Sequence, residues 1–181
     1  VAEGPRATVV TVSDRAAAGV YADRSGPALV EGLRALGFAV DEPVVVPDGP
    51  PVGGALRAAV GRGDALAVTT GGTGLAPRDR TPEETRPLLD REVPGIPELL
   101  RADAVRRGVV TGALSRGLAG VAGATLVVNL PGSLGAVRDA LETLGPVLRH
   151  AVDQLAGGDH GPAGTPGEAV PPLPAPPRTG Q

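Results

Sequence analysis

Apolar positions along this chain come in blocks whose period alternates between that of a strand and that of a helix. Ala7–Ser13 (ATVVTVS) is a β-branched run between polar residues and predicts a buried strand. From Gly26 to Leu36 the residues Leu29, Val30, Leu33 and Leu36 recur at helical spacing, with Glu31 and Arg34 opposite. Gly37 stands where a left-handed cap ends a helix, and Phe38 is the hydrophobic residue that follows such a cap. Ala39–Val46 predicts a second strand, in which Pro43 marks an edge or an irregular start. Val52–Val60 predicts a short helix and Ala65–Thr70 a third strand that runs into a glycine-rich segment.

Beyond that segment, Thr81 precedes Pro82, Glu83 and Glu84, the order of an N-cap, a first-turn proline and first-turn acids. Helical patterning resumes over Ile96–Val105. Ala124–Leu130 (ATLVVNL) predicts a further strand, closed by Pro131–Gly132. Val137, Leu141, Leu144, Leu148, Val152 and Leu155 then form a helical stripe, with a kink or restart expected at Pro146. Strands alternating with helices predict a three-layer α/β/α sandwich around a mostly parallel sheet. Ligands in such folds bind beyond the carboxyl ends of the strands, where residues 71–80 and 131–133 leave the predicted strands here.

The periodic pattern stops near Leu155. Residues 1–156 are therefore expected to form one domain, and 157–181 a disordered tail in which thirteen of twenty-five residues are glycine or proline. Within it, residues 171–178 (PPLPAPPR) suit a polyproline-recognising domain, although a tolerated tail is the simpler reading.

Composition narrows the chemistry. The net charge is −3, and all seventeen basic residues are arginines, scattered along the chain without a basic stripe for nucleic acid. Tyr21 and Phe38 are the only aromatics besides histidine, which leaves no platform for stacking several bases. No stretch has the length of a membrane span or the pattern of a signal peptide, so a cytoplasmic protein is expected. Without lysine there is no Schiff base or phosphate-loop lysine, and without cysteine no thiol nucleophile or thiolate metal site. His150 and His160 lie far in sequence from the glycine segment. Carboxylates, arginines, hydroxyls, backbone amides and a metal are left to carry any catalysis.

The segment TTGGTGLAPRDRTPEE (69–84) concentrates these groups. Gly71, Gly72 and Gly74 let backbone amides approach an anion, yet the same glycines serve a plain turn. It is neither a Walker motif nor a dinucleotide fingerprint. The triplet Arg78-Asp79-Arg80 reads either as a solvated charge cluster or as a carboxylate holding Mg²⁺ beside a phosphate cradle. Asp48, in VVPDG (45–49), reads as a turn aspartate or as the second carboxylate of a metal pair.

Four blocks in this order resemble the MogA/MoaB family of molybdenum cofactor biosynthesis proteins, which shares its fold with the N-terminal domain of gephyrin. They are VSDRAAAGVYADRSGPAL (12–29), VVPDG (45–49), TTGGTGLAPRDRTPE (69–83) and NLPGS (129–133). EVPG (92–95) and LSRGLAG (114–120) also fit, and the first block is closest to the MogA branch. The resemblance spans roughly residues 7 to 156. It implies a molybdopterin adenylyltransferase: the terminal phosphate of molybdopterin attacks the α-phosphorus of ATP, giving adenylyl-molybdopterin and pyrophosphate with Mg²⁺ assisting. The family's two required aspartates match Asp48 and Asp79, which become the catalytic and Mg²⁺-holding candidates. The resemblance puts Gly71, Gly72, Thr73 and Gly74 in the ligand cradle, with Ser13, Asp14, Ser115, Pro131, Gly132 and Ser133 lining the same pocket. Arg78 is the candidate for stabilising charge.

The family commonly continues the last block with proline and lysine, where this chain has Leu134 and Gly135 after Ser133. Arg138, a turn on, is a candidate replacement. The resemblance also implies a homotrimer and a metal-inserting partner of the same pathway. The competing expectations are a molybdopterin-binding paralogue without catalysis and a related nucleotide-processing domain of the competence-damage type.

Overall fold

The computed structural model describes residues 4–157, so the expectations for the proline-rich tail lie outside the described residues. The chain runs β1 (Arg6–Val12), α1 (Asp14–Ala17), α2 (Ser25–Ala35), β2 (Ala39–Val40), β3 (Val44–Val46), α3 (Pro50–Gly61), β4 (Leu66–Thr70) and α4 (Thr81–Thr85). It continues through a 3₁₀ turn (Arg86–Leu88), β5 (Arg91–Glu92), α5 (Gly95–Arg106), a second 3₁₀ turn (Val110–Leu114), β6 (Ala119–Ala122), β7 (Thr125–Leu130) and α6 (Leu134–Leu155).

One sheet in the order β2-β1-β4-β7-β6-β5 forms the middle layer. β1, β2, β3, β4 and β7 are parallel, whereas β6 and β5 each run antiparallel to the neighbour before them. Side-chain alternation decides the two cores. Ala7 and Val9 of β1, with Val68 and Val128, pack under α2 and α6. Val10 and Val12, with Ala67 and Val127, pack under Val52 and Leu56 of α3. The expected three-layer architecture is observed.

The end of α2 follows its sequence signal: Gly37 has φ +84°, its amide donates to Arg34 O at 2.9 Å, and the Phe38 amide donates to Leu33 O at 3.0 Å. Phe38 itself is buried. The predicted strand 39–46 is broken into β2 and β3, both parallel to β1 on one edge, because Pro43 has no N–H to continue the ladder. The expected restart at Pro146 does not occur. α6 runs through it as one helix, since Leu144, Leu148 and Val152 bury one continuous face.

Thr81 is not an N-cap either; it lies inside α4, and its hydroxyl donates to Gly71 O at 2.9 Å. β5 and β6 carried no sequence expectation. Alanine and glycine in β6 have little strand preference, and its hairpin partner supplies the order instead.

Candidate functional site

Four parallel strands end at the same edge of the sheet, and each hands its next residues to one cleft of about 810 Å³. Ser13 and Asp14 follow β1, Asp48 follows β3, Gly71–Asp79 follow β4, and Pro131–Ser133 follow β7. The candidate catalytic, metal-holding and ligand-binding residues, Thr73 and Ser115 included, all line this cleft. Arg138 does not line it, so the replacement proposed for the missing lysine has no support from its position.

Close backbone approach explains the glycines. Gly71 has φ +109°, and a Cβ there would lie 2.2 Å from Val12 O. Gly72 has φ +62°, and its Cβ would meet Thr81 Oγ1 at 2.3 Å and Asp48 Oδ1 at 2.6 Å. The turn after β7 is equally close, because a Cβ on Gly132 would stand 3.1 Å from Gly71 Cα. Thr70 Oγ1 donates to Pro131 O at 2.9 Å and ties the two loops together.

The charges are organised around Asp14. Its Oδ1 accepts from the Asp48 amide at 3.1 Å, and its Oδ2 pairs with Arg78 at 2.8 Å. These contacts, the amide first and then the guanidinium, hold the Asp14 carboxyl below the ordinary carboxylate value. Asp48 is shifted the other way, chiefly by burial and then by the negative charges of Asp14 and Asp79. Its Oδ1 is buried without a hydrogen-bond partner. Asp79 uses Oδ2 to accept from the Ala76 amide at 3.0 Å. Among the described residues no three His, Asp or Glu side chains are grouped closely enough to hold a metal by themselves.

Two serines serve helices as well as the cleft. Ser13 Oγ accepts from Ala16 N at 3.2 Å and contacts Tyr21 Oη at 3.1 Å. Ser133 Oγ accepts from Ala136 N at 3.2 Å and caps α6, whose first turn faces the cleft. Ser115 Oγ approaches Thr73 Oγ1 at 3.5 Å, the outer limit of a hydrogen bond.

Residues without a sequence expectation complete the site. Arg116 donates from its backbone amide to Thr73 O at 2.9 Å and from Nε to Gly74 O at 2.7 Å; its terminal nitrogens reach Asp79 O and Glu83. Asn129, buried below the glycine loop, donates to Thr69 and Thr85 hydroxyls at 3.1 and 3.0 Å and accepts from the Leu118 amide at 3.1 Å. A far wall of Pro97, Leu100, Ala104, Val109 and Leu114 makes part of the cleft apolar. The only sequence signal for Arg116 and Leu114 was their place in LSRGLAG, and for Asn129 its place in NLPGS; none pointed to the contacts they make.

The arrangement offers amides for an anion, carboxylates for a cation or a donor, and an apolar wall for a ring system. Comparison with known proteins agrees with it. Residues 8–150 match the family described as "Probable molybdopterin binding domain". The "Molybdenum cofactor biosynthesis bifunctional protein" of Chlorobaculum tepidum is 43% identical over 158 residues, covering 86% of this chain and 50% of that protein. This chain thus spans half the length of that relative. The "Molybdopterin adenylyltransferase" of Helicobacter pylori strain J99 is 37% identical over 155 residues, which cover 82% of this chain and 86% of that one. The solved structure of the molybdopterin biosynthesis Mog protein from Mycobacterium ulcerans superposes with a TM-score of 0.80 at 48% identity, covering 84% of this chain and 99% of that one. Fold, cleft and sequence together place the chain in the MogA/MoaB family of probable molybdopterin binding domains.

Proposed function

We propose that the chain acts in molybdenum cofactor biosynthesis as a molybdopterin adenylyltransferase. A phosphate oxygen of molybdopterin forms the new bond to the α-phosphorus of ATP. The bond to the bridging oxygen of the β-phosphate breaks, and its electron pair leaves with pyrophosphate. Such a transfer needs alignment and charge neutralisation more than a covalent nucleophile, which suits a cleft without lysine or cysteine. The observation that carries the reading is the buried, unpartnered Oδ1 of Asp48 beside a glycine loop and a second carboxylate, Asp79.

The donor set fits Mg²⁺, which usually takes one or two carboxylates plus substrate phosphates rather than a cage of protein ligands. Asp48 and Asp79 would hold it, and when bound it would neutralise charge on the phosphate oxygens. Amides of Gly72, Thr73 and Gly74 and of Gly135 in the first turn of α6 are assigned to phosphate, and Arg78 to a charge at the open edge. Ser13, Asp14, Ser115 and the Pro131–Ser133 turn shape the surrounding pocket. The apolar wall is assigned to a planar ring of either substrate.

Purified protein incubated with molybdopterin, ATP and Mg²⁺ is expected to yield adenylyl-molybdopterin and pyrophosphate, and EDTA is expected to stop the reaction. Asp79→Asn should lower turnover by at least ~100-fold, the scale of losing one preorganised electrostatic group, with the circular dichroism melt unchanged. Tight binding of molybdopterin without product would instead identify a binding paralogue. Turnover of a nucleotide without pterin would identify a nucleotide-processing domain.

We further propose that the enzyme is a cytoplasmic homotrimer that passes its product to a metal-inserting partner. The exposed apolar side chains of Val105 and Val110, 44% and 68% accessible and outside the cleft lining, support self-association. Sedimentation velocity tests the trimer. Among the described residues no helix is long and apolar enough to cross a membrane.

A further inference from the structure

We infer that Arg116 is a positioning residue that sets the height and direction of the glycine loop and of Asp79, an inference that rests on the adenylyltransferase reading of the site. The segment from Gly74 to Asp79 belongs to no helix or strand, so its carbonyls have no ladder or helical partners. Arg116 supplies them. Its Nε donates to Gly74 O at 2.7 Å, and a terminal nitrogen donates to Asp79 O. Its own backbone amide holds Thr73 O at 2.9 Å. One residue thus grips the loop at its start and at the aspartate near its end.

Apart from the Arg78–Asp14 ion pair on the side of β1, the remaining contacts of the loop are short-range. The Asp79 amide donates to Ala76 O at 2.9 Å, and the Ala76 amide donates to Asp79 Oδ2 at 3.0 Å. These two bonds orient the Asp79 side chain within its own turn. They do not attach that turn to the rest of the molecule. On the side facing β6, the attachment comes from Arg116, which leads into the strand that pairs with β7.

A guanidinium suits this task because its planar fork can span two carbonyls at once, and it is less strongly hydrated than an ammonium. Glu83 takes the third nitrogen, and its carboxyl is held below the ordinary value chiefly by that bond. The pair is part-exposed, with side chains 34% and 44% accessible. A surface ion pair of this kind adds little by itself, so the two carbonyl contacts carry the effect.

The test compares Arg116→Ala, Arg116→Lys and Glu83→Gln in full-length protein, reading kcat, KM, melting temperature and hydrogen exchange of the loop. A misplaced reacting group costs on the order of 100-fold in rate, so Arg116→Ala is expected to lower kcat by about that factor with KM for ATP within about threefold. Arg116→Lys keeps the charge but cannot span both carbonyls, and should recover about tenfold of the loss. Glu83→Gln should stay within about twofold of wild type. Amides of residues 74–80 should exchange faster in both arginine variants while those of β4 and β7 do not.

Kcat of Arg116→Lys equal to wild type, or equal loss in Glu83→Gln and Arg116→Ala, overturns the inference. Should Arg116→Ala fail to fold, the lysine variant still decides. Should the wild type make no adenylyl-molybdopterin, the reaction assigned above fails; unchanged loop exchange in Arg116→Lys would separately overturn the positioning role.

Discussion

The Asp48 amide donates to one oxygen of Asp14 at 3.1 Å while Arg78 holds the other at 2.8 Å. Three segments that follow three different strands are joined through a single carboxylate. The same carboxylate helps to push the neighbouring Asp48 up, because a second negative charge disfavours its ionisation.

Asp48 is therefore expected to work against stability. A carboxyl whose pKa is raised by folding binds its proton more tightly in the fold. It favours the fold at low pH, and that benefit is lost as pH rises through the folded value. At neutral pH the ionised Asp48 opposes folding. Asp48→Asn should melt at a higher temperature than wild type at pH 7, with the gap closing as pH falls below the ordinary value of 3.8. Adenylyl transfer should fall by at least ~100-fold in the same variant. A lower melting temperature at pH 7 would contradict the electrostatic assignment.

The acid limb of the kcat/KM profile should follow the same group. With Asp48 required as an anion in the enzyme before Mg²⁺ and ATP bind, the state that kcat/KM reports, the limb is expected above the ordinary carboxylate range. Asp14→Asn removes one of the two charges that raise Asp48, so the limb should move to lower pH even where the maximum rate is reduced. A limb that stays in place would show that another group controls it.

Asp103 on α5 makes the opposite contribution. Hydrogen bonds from Arg107, then Thr143, and then Arg106 lower its pKa to about 2. Arg107 also pairs with Asp139 and Glu142 on α6, so the network clamps the two helices that border the apolar wall. A depressed carboxyl stabilises the fold above its unfolded value, near 3.8, and loses that contribution as pH falls towards about 2. Asp103→Asn should melt below wild type at pH 7, and the two curves should converge between pH 4 and 2. A constant difference across that window would assign the loss to packing instead.

Two glycines give opposite expectations. Gly71→Ala adds a Cβ 2.2 Å from Val12 O at φ +109°, and should cost about 2–4 kcal/mol from strain and overpacking together. Gly54 lies within α3 with nothing within 4 Å of a Cβ, so Gly54→Ala should stabilise by about 0.5–1 kcal/mol. Urea denaturation of both variants measures the contrast.

Much of this was legible along the chain because it depends on near neighbours. The αL cap at Gly37, the β-branched run of β1 and the stripe of α6 are each local patterns, and each appears where it was expected. Thr81 departed from its local signal, and α6 did not restart at Pro146, because distant partners outweighed those signals. For Thr81 the carbonyl of Gly71 displaced the capping role, and for Pro146 the buried face of Leu144, Leu148 and Val152 kept one helix.

By itself the sequence determined the mostly parallel sandwich and the glycine turn, since strand and helix periods and backbone freedom are encoded within a few residues, whereas Asp48 and Asp79 were singled out by their resemblance to family motifs. Only the tertiary structure decided that Arg116 reaches back across more than forty residues to Gly74, that Asp14 joins Asp48 to Arg78, and that α5 walls the cleft. Those contacts arise from the strand order, which brings the ends of β1, β3, β4 and β7 to one edge. A side chain's partner across such an edge is set by the path of the whole chain.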